Sequence, residues 1–118
     1  MDDNILSDIK KMLGIADEYT HFDRDVLFWI NSAFGVLTQL GVGPEDGFVA
    51  DYDSVWGDYA CKNNSKEILK TYIYMKTRLA FDPPSASYLY DSFKSIADEL
   101  EWRLHIIEDD SLKEVGDE

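Results

Sequence analysis

One cysteine, Cys61, is all that the chain contains, which excludes an internal disulfide and fits a reducing compartment without requiring one. Basic residues are scarce, 11 Lys and Arg against 24 Asp and Glu, for a formal net charge of −13. Unassisted binding to DNA or to an anionic membrane draws on clustered Lys and Arg, and no such cluster is present. No apolar run is long enough to cross a bilayer. Val26 to Pro44 comes nearest, but Asn31, Ser32, Thr38 and Gln39 interrupt it. Gly41-Val42-Gly43-Pro44 then stops it short of the roughly 20 residues a span needs. The start, MDDNILSDIK, is acidic where a signal peptide wants a basic region and an apolar stretch. No secretory signal is expected, and the chain reads as a soluble protein.

What is present is a core. With 118 residues, 45% hydrophobic and 14% aromatic, the chain has the material for one folded domain. A chain this long buries roughly two-thirds of its unfolded surface. The most informative stretch is Val26 to Pro44, nineteen residues without a charge in a chain otherwise studded with acids. A surface helix keeps a charged face toward water. A helix with none is enclosed by its own domain or covered by another subunit.

The periodicity predicts helices throughout. Ile5, Leu6, Ile9, Met12 and Leu13 lie at helical spacing, with Asp2 or Asp3 to cap and Gly14 to terminate. Thr20 with Asp23 resembles a capping box opening a helix that runs to about Leu40, with Gly41 at its end. Its core face is Val26, Trp29, Ile30, Ala33, Leu37 and Leu40. Its remaining faces are Leu27, Asn31, Phe34 and Thr38, and Phe28, Ser32, Gly35 and Gln39; of these, Asn31, Ser32, Gly35, Thr38 and Gln39 are small or polar without charge and form a candidate subunit interface. Gly35 costs about 1 kcal/mol relative to Ala inside a helix, so a close-packing role is expected there.

Residues 41–63 are too long a connection to be structureless. Phe48-Val49-Ala50 reads as a brief strand, and Asp53 to Tyr59 as a short helix capped by Asp53 or Ser54. Phe48, Tyr52, Trp56 and Tyr59 are expected to pin the connection to the helices. Asn64 with Glu67 opens a third long helix with Ile68, Leu69, Tyr72, Met75 and Leu79 inward, ending near Phe81. Asp82-Pro83-Pro84 stops it, because proline lacks the amide donor and restricts the residue before it. Ser85 or Ser87 caps the last helix, with Leu89, Phe93, Ile96, Ala97, Leu100 and Leu104 inward and a Glu99–Arg103 pair outside. The organisation is an all-α fold: a small antiparallel bundle of four helices plus a short helix in the long connection. Residues 1–107 form the helical domain, and 108–118 an acidic tail expected to be flexible. There is no internal repeat.

No catalytic, cofactor or metal constellation emerges. Asp51-Tyr52-Asp53 starts like a calcium loop, but Val55, Trp56 and Lys62 stand where the fifth, sixth and twelfth positions need an acid, Gly and Glu. Gly41, Gly43 and Gly47 lack dinucleotide-fingerprint spacing and follow a helix instead of a strand. His21 and His105 have no ligand partner at helical spacing, and Cys61 would need both to converge on it in space to act as a nucleophile. Lys62, Lys66 and Lys70 form a basic stripe at i, i+4, i+8, read as a solvated face or as a docking strip for an acidic neighbour. The chain is not expected to be an enzyme.

Three segments carry a resemblance. They are Trp29-Ile30-Asn31-Ser32-Ala33-Phe34 with Leu37-Thr38-Gln39-Leu40-Gly41-Val42-Gly43-Pro44; Lys70 to Leu79 leading into Phe81-Asp82-Pro83-Pro84; and Glu99-Leu100-Glu101-Trp102-Arg103-Leu104. With Trp56 they resemble the head–tail connector (head-completion or adaptor) proteins of long-tailed bacteriophages, over about Ile5 to Leu104. Asp82, Pro83, Pro84, Trp102 and Arg103 are the family-like positions. The resemblance implies a homo-oligomeric ring beneath the phage portal protein in the virion neck, assembled in the host cytoplasm. Such a ring extends the DNA channel, lets DNA pass without specific binding, and meets the next neck or tail-completion protein. It also implies that terminal segments order on docking, which would give the tail after Leu104 a role. No cofactor and no membrane contact are implied. The alternative is an acidic DNA mimic or inhibitor that occupies a basic cleft; it accounts for the −13 but not for the uncharged helix.

Overall fold

The computed structural model describes residues 4–59 and 66–108. Four α-helices form the domain: α1 (Ile5–Leu13), α2 (Asp23–Gln39), α3 (Lys66–Phe81) and α4 (Ser87–Glu108). No strand occurs among the described residues; the nearest approach is one isolated bridge between Asn4 and Val55. α3 is the central element, packing extensively on both α2 and α4, while α1 rests against α2 and α3. The core joins Ile5 and Ile9 of α1, Val26, Ile30, Phe34 and Leu37 of α2, and Leu69, Tyr72 and Ile73 of α3.

The glycine stops follow expectation. α1 ends in a left-handed Gly14 (φ 83), with Gly14 N–H donating to Lys11 and Ile15 N–H to Lys10. α2 ends the same way at Gly41 (φ 82), and Val42 N–H returns to the Leu37 carbonyl at 2.9 Å. Paired bonds of this kind satisfy terminal carbonyls that would otherwise be left without partners. α3 stops at Phe81, before Asp82-Pro83-Pro84.

The starts are less faithful to expectation. α1 is capped by Asn4, whose side-chain oxygen accepts from Ser7 N–H at 2.8 Å; Asp2 and Asp3 lie outside the described residues. Thr20 is not the cap of α2. The helix begins at Asp23 behind Phe22, without a side-chain cap bond. Asp23 does not reach back because its carboxylate is drawn to Lys10 Nζ, 2.8 Å away. Asp23 and Asp25 in the first turn still offset the positive helix end. Neither Ser85 nor Ser87 stands at the cap position of α4: Ser87 is already helical, and the Ala86 carbonyl takes the first bond, from Tyr90. The expected Asn64 cap of α3 and Cys61 lie outside the described residues, as does the tail beyond Glu108.

Phe48-Val49-Ala50 forms no strand, because a side chain takes the place of a neighbouring strand. Asn31 accepts from Ala50 N–H at 2.7 Å and donates to the Ala50 carbonyl at 3.0 Å. The expected helix over 53–59 contracts to a 3₁₀ turn, Trp56–Asp58. Asp58 closes its start by accepting from Val55 N–H, and Ile5 N–H ties the preceding Ser54 carbonyl to α1. Trp56 is fully buried and its indole N–H donates to Asp8 at 2.9 Å. Phe48 stacks edge-on between Phe34 and Tyr59, and the Tyr59 hydroxyl donates to the Val42 carbonyl. Three of the four expected pins therefore hold the connection; Tyr52 is exposed instead.

The helix faces were broader than a single stripe. Phe34 joins the core of α2, whereas Trp29 is half-buried and Leu40 is exposed. In α3, Ile73 and Thr77 are buried along with Leu69 and Tyr72, and Met75 and Leu79 are only half-buried. A central helix touched on several sides buries a wider arc than an amphipathic stripe predicts. α4 is the converse: it packs mainly on α3, so Ala97 and Leu104 are buried but Leu89 and Ile96 stay 41% and 40% exposed. The Glu99–Arg103 pair forms at 2.7 Å on its outer side. Both partners are well exposed, so it contributes a few tenths of a kcal/mol, on the order of other surface pairs.

Candidate subunit interface

The nineteen uncharged residues divide by position around α2. Asn31 and Thr38 turn toward the connection: Asn31 holds Ala50, and Thr38 donates to the Phe34 carbonyl while Gly47 lies against its side chain. Ser32, Gly35 and Gln39 are exposed and, with Phe28, line one strip of the helix at i, i+4, i+7, i+11 spacing. Phe28 is 63% exposed. A Cβ built on Gly35 meets nothing within 4 Å. The strip is thus open, flat and free of charge, bounded by Asn31 and Thr38 on one side and Trp29 and Val36 on the other.

Ser32 at the edge of the strip, with Trp29, Ala33 and Val36, opens onto a groove of about 350 Å³ between α2, α3 and α4. Leu79 and Tyr90 complete its apolar walls, and Lys76 and Lys94 stand in its lining with Asp98 as the lone acid. The sequence did not reveal this groove. Lys76 and Lys94 come from different helices, and only the fold of α3 against α4 puts them together. A second hollow, about 720 Å³, lies between the α1–α2 turn and the end of α3, lined by Leu13, Ile15, Tyr19, Phe22 and Phe81.

Lys10 is a buried charge that periodicity did not suggest. It is 2% exposed, paired with Asp23 and donating to the Asp17 carbonyl at 2.9 Å. The pair locks α1 to the start of α2; such pairs are costly to break from one side. Tyr72 donates to Glu101 at 2.8 Å, joining α3 to α4. Burial, and then the Glu101 carboxylate, push its phenol well above the usual range, so it stays a donor.

Among the described residues, the two histidines stand apart. His21 sits among Tyr19 and Phe22, His105 tilts onto Trp102 at the far end of α4, and Cys61 lies outside the described residues. No group of three or more potential metal ligands occurs among the described residues. The Asp51 carboxylate is occupied within its own turn, accepting from Asp53 N–H and the Ser54 hydroxyl, which hold it below the usual carboxylate range. Of the basic stripe, Lys62 is not described, Lys66 is exposed, and Lys70 Nζ lies 5.8 Å over the Trp56 indole. Of the family-like positions, Asp82, Pro83, Trp102 and Arg103 are exposed and Pro84 is half-buried, at two separate places on the surface. No described helix is long and apolar enough to cross a membrane.

Comparison with known proteins adds one finding. The family described as phage connector protein matches residues 5–111, which takes in all four helices, the connection and each of the three resembling segments. No curated protein and no solved structure matches the chain. A helical domain with an open uncharged strip on α2 agrees with that match in kind. The chain belongs to the phage connector protein family, and its role is that of a structural component of the virion.

Proposed function

We propose that the protein is a subunit of a homo-oligomeric head–tail connector ring that docks on the portal protein, extends the DNA channel and receives the next neck or tail-completion protein. The observation that carries this reading is the strip Phe28, Ser32, Gly35 and Gln39. From Phe28 to Gln39 an exposed helix face in a chain of net charge −13 holds no charge, which suits burial against a neighbour. The acid excess supports passage of DNA without adhesion. Carboxylates facing a channel repel phosphates, within about 8 Å at physiological salt.

The test is a mass measurement on the full-length protein with an isolated portal assembly. The expected result is a gain of a closed ring's worth of subunits, lost when Ser32→Glu is introduced. A stable monomer or dimer that ignores the portal and instead blocks a nucleic-acid enzyme's basic cleft would replace the ring reading with the acidic-mimic one.

A further inference from the structure

We infer that the groove between α2, α3 and α4 receives the acidic 44–53 connection of a second copy of this chain. The inference rests on the ring reading and names the two surfaces that meet. At about 100° per residue, Trp29 and Val36, which border the groove, stand roughly 160° around α2 from Asn31 and Thr38, which hold the connection. Groove and connection therefore occupy opposite flanks of one helix, and the uncharged strip runs between them with Ser32 on the groove's edge.

The two flanks are complementary in two respects. The groove is apolar with Lys76 and Lys94 in its lining, and neither makes an ion pair among the described residues. The connection is its counterpart. Val49 is 78% exposed, beside an Ala50 clamped to α2, and the same connection carries Glu45, Asp46, Asp51 and Asp53, all exposed. An exposed apolar side chain on an acidic connection matches an apolar cleft lined by lysines. In a chain with 11 basic residues against 24 acids, a cleft carrying two lysines to one acid is a local reversal of sign. Subunits this acidic repel one another at distance, so a contact between them needs such a reversal to fix its register.

The arrangement is also directional. A contact between one copy's groove and the next copy's connection leaves the second groove open for a third connection. This is a heterologous contact, which closes into a circle when the rotation per step allows.

Two charge-reversed variants of the full chain test this: Lys76→Glu/Lys94→Glu and Glu45→Lys/Asp46→Lys. Sedimentation over a concentration series at low salt, with far-UV circular dichroism to check folding, is the measurement. Each variant alone is expected to self-associate at least about tenfold more weakly than the unsubstituted chain. An equimolar mixture regains association, because the acidic groove of one variant then meets the basic connection of the other, while the unreversed groove of the second meets the unreversed connection of the first. If both variants assemble as the unsubstituted chain does, the groove is not the contact, though the ring reading stands. If both fail and the mixture fails too, the two surfaces do not face one another and the proposal is overturned. Should the unsubstituted chain associate neither alone nor on portal, the ring reading falls and takes this proposal with it.

Discussion

Gly35→Glu separates folding from assembly by moving them in opposite directions. Gly35 sits inside α2, and a Cβ there meets nothing within 4 Å, so a side chain enters open solvent in the isolated subunit. Replacing a mid-helix glycine relieves a conformational penalty of about 0.5–1 kcal/mol. The new carboxylate stands more than a turn before the C-terminal end of α2, where the helix dipole returns little of that gain. Dilute protein should therefore melt a few degrees higher, or at worst unchanged, at about 4–8 °C per kcal/mol for a domain near this size. Assembly responds the other way. Covering an unpaired carboxylate against a neighbour costs several kcal/mol, and about 3 kcal/mol already weakens association roughly 100-fold. The assays are a thermal melt at low concentration and sedimentation velocity over a concentration series. Gly35→Gln supplies the same bulk without the charge and should lie between the two. If Gly35→Glu assembles like the unsubstituted chain, the strip is not an interface. A destabilised monomer would instead refute the reading of Gly35 as open to solvent.

Four further outcomes are expected. Lys10→Ala strands Asp23 half out of water and should cost about 3–5 kcal/mol in a urea titration, whereas Lys10→Met combined with Asp23→Leu should cost less than Lys10→Ala alone. Asn31→Ala removes both bonds to Ala50 and leaves its amide and carbonyl without partners, at about 1–3 kcal/mol for each buried group; amide exchange at Ala50 should accelerate far more than at Leu69. Gly43 has φ 87 and its missing Cβ would strike the Tyr59 ring, so Gly43→Ala should destabilise by more than about 1 kcal/mol and increase cleavage of the connection in limited proteolysis. Asp51 has a folded pKa below its usual 3.8, so its contribution is present above pH 3.8 and is lost as pH falls through the lower folded value. NMR titration of its carboxyl should give a midpoint below 3.8, and Ser54→Ala should move that midpoint upward.

Most of the fold was legible where local chemistry decides it. Gly14 and Gly41 stop helices because each supplies a left-handed residue, and Asp82-Pro83-Pro84 stops α3 because proline cannot continue it. What escaped was set by tertiary neighbours. Asn31 reads as an interface residue from its lack of charge, yet its amide serves Ala50, nineteen positions away. That one clamp converts an expected strand into an extended segment bound to a helix. Thr20 has the chemistry of a cap, but the acid that would complete the box is claimed by Lys10 from α1. Phe34 seemed to lie off the core stripe because the connection that covers it had no place in a helical-wheel argument. Of the candidate interface, Ser32, Gly35 and Gln39 share an open face with Phe28, which the helical wheel places beside them but which a choice of small or polar residues leaves out. The groove could not be read at all, since its lysines meet only through the packing of α4 on α3.

The clamp between Asn31 and Ala50 has a mechanical consequence. A carboxamide offers a donor and an acceptor together, so it fixes a peptide group in both position and tilt, where a hydroxyl or a carboxylate would leave it free to pivot. The connection is thereby splinted to the middle of α2 at Ala50. In any closed circle of identical copies, the angle between the two mating surfaces sets the number of members. In the proposed ring, that angle would depend on Asn31 together with Phe48, Trp56 and Tyr59, so Asn31 would bear on curvature as well as on stability.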